Sequence, residues 1–298
     1  MSIALLVGIL YIVISSLLFA INSLLLFVIC KRKEYSSRTF LIIRHICVVC
    51  MMQLGVFIIS GVMTLFQTAF SETIDKICGA IIQSGWFFYI GLSVTLAVDR
   101  LITFLRLSSS KIGHLASLVL LVLTWLLWLG FLLALMIPGF GMTYKTNIGY
   151  YRWDYKEGLG TNVLIKVEEY FDFSAYFIVF IIYIVGFVCF FKARRASALH
   201  THTSWINVEF RIFVVAVISF SYEMAFDIFW FWGGDVISDK ILGAFLANIL
   251  WILDCGLFAL LTFVISKSIR RKLLSMVFKH RVTVAVITSH HHHHNILS

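Results

Sequence analysis

The stretch GHLASLVLLVLTWLLWLGFLLALMIPG, Gly113–Gly139, decides the fold class of this chain. From Gly113 to Ile137 it contains no aspartate, glutamate, lysine or arginine, and it is longer than the ~20 apolar residues that an α-helix needs to cross a bilayer. Pro138 and Gly139 then form a helix terminator. The stretch therefore predicts a transmembrane helix that ends next to Pro138.

The whole chain has the composition of a membrane protein. Of its 298 residues, 61% are hydrophobic and 13% are charged, and Pro138 is the single proline. Soluble domains carry about 25% charged residues. These values exclude a soluble globular protein, a disordered chain and a collagen-like one. A membrane β-barrel is excluded as well, because its strands would appear as alternating segments of ~10 residues.

Six further apolar runs predict an all-α membrane protein built as a seven-transmembrane helix bundle. The expected spans are about 2–30, 39–66, 77–105, 113–137, 171–191, 207–232 and 241–266. The longest connection, 139–170, is polar and aromatic and is predicted to be a loop. We expect one domain over residues 1–278, followed by a short disordered cytoplasmic tail over residues 279–298.

The distribution of cations predicts an N-terminus outside the membrane and a C-terminus inside. With that orientation, 15 of the 24 lysines and arginines lie on the cytoplasmic side and six lie outside, as the positive-inside rule requires. The formal charge of +9 therefore reflects topology and predicts a lipid partner, with no nucleic acid. KSIRRKLLSMVFK, Lys267–Lys279, follows the seventh run and predicts a short amphipathic helix on the inner leaflet.

Ionisable side chains inside spans are costly and are therefore functional candidates. Asp99 and Arg100 close the third span on the cytoplasmic side, and Glu209 begins the sixth span on the same side. An arginine can exchange carboxylate partners between two states. Arg100, held by Glu209 in one state and released in another, predicts an activation switch. The alternative is that Asp99 and Arg100 only extend to the membrane interface.

A second group of candidates lies farther from the cytoplasm. Trp86, Tyr89 and Ser93 share one face of the third span and suit the wall of a pocket that opens to the outside, with ordinary helix packing as the alternative. Glu223 and Asp227 are four residues apart and share one face of the sixth span. They predict either an acidic site for a cationic or hydrogen-bond-donating ligand, or part of a structural polar network.

The network alternative adds polar residues from three other spans. Asn248 and Asp254 of the seventh span would join the two carboxylates of the sixth, and Asn22 and Gln53 lie near the same depth. No cysteine or histidine spacing typical of a metal site occurs, so neither a metal nor a cofactor is expected. No HExxH, GxSxG or facing catalytic pair occurs either, which argues against an enzyme.

Four segments carry a resemblance to a known family. They are AVDR (Ala97–Arg100), IPGF (Ile137–Phe140), VEFRIF (Val208–Phe213) and WILDCGLFALLTFVISKSIR (Trp251–Arg270). With Asn22 in the first span and Trp125 in the fourth, their order and spacing resemble the rhodopsin-like G-protein-coupled receptors. Within these, the chain most resembles the nematode serpentine chemoreceptors of class X. The resemblance covers about Gly8 to Lys272.

The resemblance implies a receptor with an outer pocket for a small-molecule ligand and an inner surface for a heterotrimeric G protein. It implies roles in coupling for Asp99 and Arg100, with Glu209 as the partner of the arginine. It also implies a plasma-membrane location, in the cilia of sensory neurons. The sequence departs from the receptor pattern in its sixth and seventh spans, which lack proline, so that the usual proline-linked bends are not expected.

Two further departures concern single motifs. FALLT, Phe258–Thr262, stands where the receptors have NPxxY, and Phe140 stands near the place where a disulfide partner for Cys78 is expected. The alternative function is a polytopic transporter or channel subunit. Neither an inverted repeat nor a pair of helices broken by glycine or proline supports it.

Overall fold

The computed structural model of this chain describes residues 3–105, 111–146, 150–197, 204–273 and 275. Within these ranges it consists of seven long helices, a short 3-10 turn and one two-stranded antiparallel sheet. The helices are α1 (Ile3–Lys31), α2 (Arg38–Phe66), α3 (Glu72–Phe104), α4 (Lys111–Met136), α5 (Leu159–Ser197), α6 (Ser204–Val236) and α7 (Lys240–Ile265). The strands are β1 (Met142–Lys145) and β2 (Arg152–Tyr155), and the 3-10 turn is Lys33–Tyr35.

All seven helices are long and apolar enough to cross a membrane, which confirms the predicted fold class. α3 is the most buried of them and α4 the least. On α4, large apolar side chains such as Leu118, Val122 and Leu126 are exposed. Such continuous apolar surfaces suit contact with lipid. α3 is therefore the central helix of the bundle, and α4 lies at its periphery.

Local chemistry explains several helix ends. α4 ends at Met136, two residues before Pro138, as the sequence predicts. Ser71 caps α3 by accepting a hydrogen bond from the Ile74 amide (3.2 Å), and Asp239 caps α7. After a break at Ser266, residues 267–273 are helical again, where a short amphipathic helix is predicted. The rest of that segment and the tail 279–298 lie outside the described residues.

The two ends of the bundle differ in what they carry. The end with β1, β2 and the start of α1 is called the hairpin end below. The opposite end, where Lys31 closes α1 and Arg38 opens α2, is called the basic end.

The connection 139–170 corrects the sequence-based expectation of a loop. It contains β1 and β2, and α5 begins at Leu159, well before the predicted start at 171. Lys166, Glu168 and Glu169 make this part of the chain polar, so a search for apolar runs places the helix start too late. Yet Glu168 is buried in the protein core.

The β-hairpin is part of the core at its end of the bundle. Trp153 is fully buried, and its Nε1 donates to Ser60 Oγ of α2 (2.8 Å). The Tyr144 hydroxyl lies 2.6 Å from Thr64 Oγ1. Burial raises the pKa of Tyr144 well above its usual value, so that its hydroxyl is neutral. The hairpin therefore closes this end of the bundle.

The close approach of the hairpin to α3 depends on Gly79. A Cβ atom added there would lie 2.3 Å from the Met142 carbonyl oxygen, a distance that real contacts do not reach. Two hydrogen bonds to Asp75 hold the same contact: the Tyr144 amide donates to Oδ1 (2.8 Å) and Thr143 Oγ1 donates to Oδ2 (2.6 Å).

We predict that Gly79→Ala destabilises the purified protein by about 1–3 kcal/mol, because the hairpin must move away from α3. The matched control is Gly130→Ala in α4, where no atom lies within 4 Å of the added Cβ. Thermal unfolding in lipid nanodiscs measures both. An equal change in Tm for the two variants would contradict the importance of this contact.

Candidate functional site

Arg100 is the centre of a buried ionic cluster at the basic end. Its Nη2 donates to Asp99 Oδ2 (2.6 Å) and to Thr39 Oγ1 of α2, and its Nη1 donates to Glu209 Oε2 of α6. Thr39 Oγ1 in turn donates to Asp99 Oδ2 (2.7 Å). Arg100 and Asp99 are each 1% exposed, whereas Glu209 is 27% exposed. We call these four residues the Arg100 cluster.

The arrangement suits a switch between two states. A buried arginine needs charged partners, because an unpaired charge in the core is strongly destabilising. Asp99 and Thr39 hold Arg100 from within the core, while Glu209 is the partially exposed partner. Of the three, Glu209 is therefore the one that can separate from Arg100 at the smallest desolvation cost.

A cleft of about 390 Å³ opens next to Glu209 at the basic end. It is lined by apolar side chains such as Phe258 and Ile265 and by charged ones, including Arg211. Lys272, after α7, forms an ion pair with Glu34 at its edge. The cleft thus offers both an apolar floor and charged rims for a partner.

A second cluster, here called the acidic cluster, lies in the core between the Arg100 cluster and the hairpin. Its five carboxylates are each at most 3% exposed and come from three helices: Glu168 and Asp172 (α5), Glu223 and Asp227 (α6), and Asp254 (α7). They lie within electrostatic range of one another. Among the described residues, no lysine, arginine or histidine forms an ion pair with any of them.

Side chains of α3 donate to three of these carboxylates. The bonds run from Gln83 Nε2 to Glu168 Oε2 (2.9 Å), from Trp86 Nε1 to Asp172 Oδ2 (3.0 Å) and from Ser93 Oγ to Glu223 Oε2 (3.1 Å). Other oxygens have no hydrogen-bond partner within the described chain: Asp172 Oδ1, Glu223 Oε1, Asp227 Oδ2 and Asp254 Oδ1. The cluster therefore keeps unused acceptors in the core.

Aromatic rings adjoin the acidic cluster. The aromatic cluster consists of Trp86 (α3), Phe226 and Trp230 (α6) and Trp251 (α7). Trp86 lies 5.4 Å from Phe226 and 5.8 Å from Trp251, between ring centroids, and Trp230 lies 5.3 Å from Trp251. Through its bond to Asp172, Trp86 belongs to both clusters.

The hairpin contacts both clusters from one side. The Tyr155 hydroxyl accepts a hydrogen bond from Trp230 Nε1 (3.2 Å) and interacts with the Glu168 carboxylate. Burial of this hydroxyl, with Glu168 beside it, raises the pKa of Tyr155 well above its usual value, so it remains protonated. The Arg152 guanidinium lies 6.0 Å from the Trp230 ring.

The structure brings the predicted pocket residues together. Ser93 bonds to Glu223, Tyr89 lies within electrostatic range of Glu223, and Trp86 packs against Tyr89 (6.4 Å between centroids). Asp227 belongs to the same acidic cluster. Their role in binding a ligand stays a prediction.

The residues of the predicted intramembrane network have different partners in the structure, and the network stays a prediction. Asn22 Nδ2 donates to backbone carbonyls of α1 and α7, and Gln53 Oε1 accepts from Trp251 Nε1 (2.9 Å). Asn248 Nδ2 donates to the Tyr151 carbonyl next to β2 (3.1 Å). Asp254 lies within electrostatic range of Glu223 and Asp227, as the network alternative predicts.

Sequence reasoning missed several residues of these clusters. Glu168, Asp172 and Tyr176 recur every four residues on one face of α5, a spacing that marks a helix face. Glu168 falls before the predicted start of that span at residue 171, so the sequence does not connect the three in one predicted span. Thr39 carries no signal, since a single threonine near a helix start is common. In the described part of the chain, no three histidine, cysteine, aspartate or glutamate side chains are arranged so that they could hold one metal ion.

The described chain has a structural counterpart among known proteins. Its fold is similar to that of squid rhodopsin. The two structures match with a TM-score of 0.73 over 95% of this chain and 87% of that chain, at 14% sequence identity. No model of a protein family matches this chain, and no curated protein sequence does. The likeness confirms a seven-helix fold like that of squid rhodopsin, while membership of the receptor family and of class X stays a prediction.

We predict that Thr39→Val destabilises the protein by about 1–3 kcal/mol, because Asp99 and Arg100 lose a shared buried partner. Thr262→Val is the matched control: both threonines are 7% exposed, but the Thr262 hydroxyl donates only to the Phe258 carbonyl of its own helix (2.8 Å). Thermal unfolding in nanodiscs compares the two. Equal losses would mean that the Thr39 hydroxyl has no special role in the Arg100 cluster.

Proposed function

We propose that this protein is a chemosensory G-protein-coupled receptor. It detects a small molecule from outside the cell and activates a heterotrimeric G protein at the plasma membrane. The observation that carries the proposal is the Arg100 cluster, which joins α3 to α6 through a partially exposed carboxylate beside an open cleft. The rhodopsin-like fold supports the same function.

The proposed orientation has the hairpin end outside and the basic end in the cytoplasm. The excess of lysine and arginine at the basic end supports it through the positive-inside rule. The cleft beside Glu209 is then the cytoplasmic surface for the G protein. The acidic and aromatic clusters lie toward the extracellular side, in the position of a ligand site.

α6 connects the two regions. It carries Glu209 of the Arg100 cluster and Glu223 of the acidic cluster, which are 14 residues or about 21 Å apart along the helix axis. α6 is continuous from Ser204 to Val236 and contains no proline, so it moves as one body. A ligand that favours a different position of α6 separates Glu209 from Arg100 and widens the cytoplasmic cleft.

The test is agonist-independent nucleotide exchange on a panel of purified heterotrimeric G proteins, with the receptor in nanodiscs. We expect Glu209→Gln to raise basal exchange, because it removes the ion pair that favours the closed state. A coupling of 1–3 kcal/mol corresponds to about 5- to 150-fold in the equilibrium between the states. Glu72→Gln, the same substitution at an exposed site on the hairpin end, is the control.

The double variant Arg100→Ala with Glu209→Gln tests whether Arg100 is needed for the added exchange. If Arg100 contacts the G protein once it is released, the double variant loses the added exchange. Because Asp99 also loses its cation, exchange is compared per amount of folded receptor in the nanodiscs. Basal exchange that is unchanged in Glu209→Gln with every G protein would contradict the proposed function.

A further inference from the structure

The acidic cluster buries five carboxyl groups inside the bundle, and none of them has a cationic partner among the described residues. Burying a carboxylate without a cationic partner is costly, and the cost grows when like charges lie nearby. In the Arg100 cluster, one arginine forms ion pairs with both carboxylates, and the Thr39 hydroxyl donates a hydrogen bond to Asp99. The acidic cluster contains five carboxylates, four of which keep an unpartnered buried oxygen, and no ion pair neutralises them in the described chain.

We propose that the acidic cluster binds a short α,ω-diamine, an organic dication, as the ligand of this receptor. The inference rests on the proposed function and names the chemical class of its ligand. Four buried oxygens without partners are acceptors for the N–H donors of ammonium groups. The Tyr176 hydroxyl, also buried and without a partner, lies within electrostatic range of the same four carboxylates.

The aromatic cluster favours an organic ammonium over an inorganic ion. Ammonium groups and the methylenes next to them bind to the faces of tryptophan rings by cation–π attraction. Trp86 donates directly to Asp172, and the Trp251 ring packs against both Trp86 and Trp230. The described residues lack the compact group of ligands that a metal ion needs.

The spacing of the carboxylates favours two ammonium groups. Glu223 and Asp227 each lie within electrostatic range of Asp172 and Asp254, and of each other. Glu223 and Asp227 are one helical turn apart on α6, or ~6 Å along the axis. Two anionic subsites therefore lie at two depths, and a chain of about four methylenes bridges that separation.

The proposed entry to these subsites is a cavity at the hairpin end, which is lined by two cations, Arg152 and Lys240, as well as by Trp230. It has a volume of about 330 Å³ and lies between α6 and α7, lined also by Gly243, Ala244 and Ala247. Trp230 lines this cavity and also packs against Trp251 of the aromatic cluster. A diamine that enters from the hairpin end passes Trp230 before it reaches Asp227.

The test measures binding without any G protein. The thermal unfolding of the purified receptor in nanodiscs is followed at fixed pH with the series from ethane-1,2-diamine to hexane-1,6-diamine, and with butan-1-amine as the singly charged probe. We expect Tm to rise with diamine concentration, with an optimum at one chain length, and butan-1-amine to bind at least about tenfold more weakly.

Two isosteric variants test the subsites. Glu223→Gln and Asp227→Asn should each weaken diamine binding by about 30-fold or more, since each removes one partner of a buried charge pair. Without ligand, both variants should be at least as stable as the parent chain, because they relieve repulsion between like charges. Asp239→Asn at the exposed start of α7 is the control, since asparagine also caps a helix.

Several outcomes would overturn the inference. The first is a Tm that no diamine changes, and the second is a Tm that changes only with the pH of the buffer. The third is diamine binding in Glu223→Gln and Asp227→Asn that equals binding in the parent chain. The fourth is a loss of stability in these variants without ligand, which a structural network would cause. The proposed function is tested separately. If diamines bind but no variant or ligand produces nucleotide exchange, the proposed receptor function is wrong. If Glu209→Gln raises basal exchange but no diamine binds, only the proposed ligand class is wrong.

Discussion

The bundle depends on the polar side chains of α3 finding partners on the surrounding helices. Inside a bilayer, helices gain little from hydrophobic burial against each other, so packing and interhelical hydrogen bonds hold them together. α3 supplies such bonds along its whole length: Asp75 to the hairpin, Gln83 and Trp86 to α5, Ser93 and Arg100 to α6, Thr95 to α4, and Asp99 to α2. The positions of the other elements follow from this central helix.

α3 provides a cation to the carboxylates of one cluster and only neutral hydrogen-bond donors to those of the other. Near the basic end it provides Arg100, and the carboxylates there have a cation. Farther along, α3 provides only neutral donors such as Gln83, Trp86 and Ser93. The carboxylates of the acidic cluster therefore have no cation among the described residues. A paired cluster fixes one arrangement of helices, whereas an unpaired cluster raises the free energy of the ligand-free state. A ligand that supplies the missing cation therefore lowers this free energy when it binds.

The number of helices and the fold class follow from sequence alone, because apolar runs report lipid contact directly. Asp99, Arg100 and Glu209 are also found that way, since charge within an apolar run is conspicuous. The start of α5 is not found from the sequence, because Glu168 and Asp172 replace apolar residues on a helix face that is buried in protein rather than lipid. The hairpin is missed for a related reason: Trp153 and Tyr144 are core residues inside a stretch whose polar neighbours resemble a loop.

The absence of proline from α6 limits the ways in which this helix can move. A helix with a proline bends where the backbone hydrogen bond is missing, so its two halves can move separately. α6 has no such point between Glu223 and Glu209. A displacement at the acidic cluster must therefore reach the Arg100 cluster as a rotation or tilt of the whole helix. The hairpin, which contacts α6 through Trp230 and Tyr155, opposes that motion at the other end. In the proposed receptor, ligand entry past Trp230 and release of Glu209 are consequently two ends of one movement.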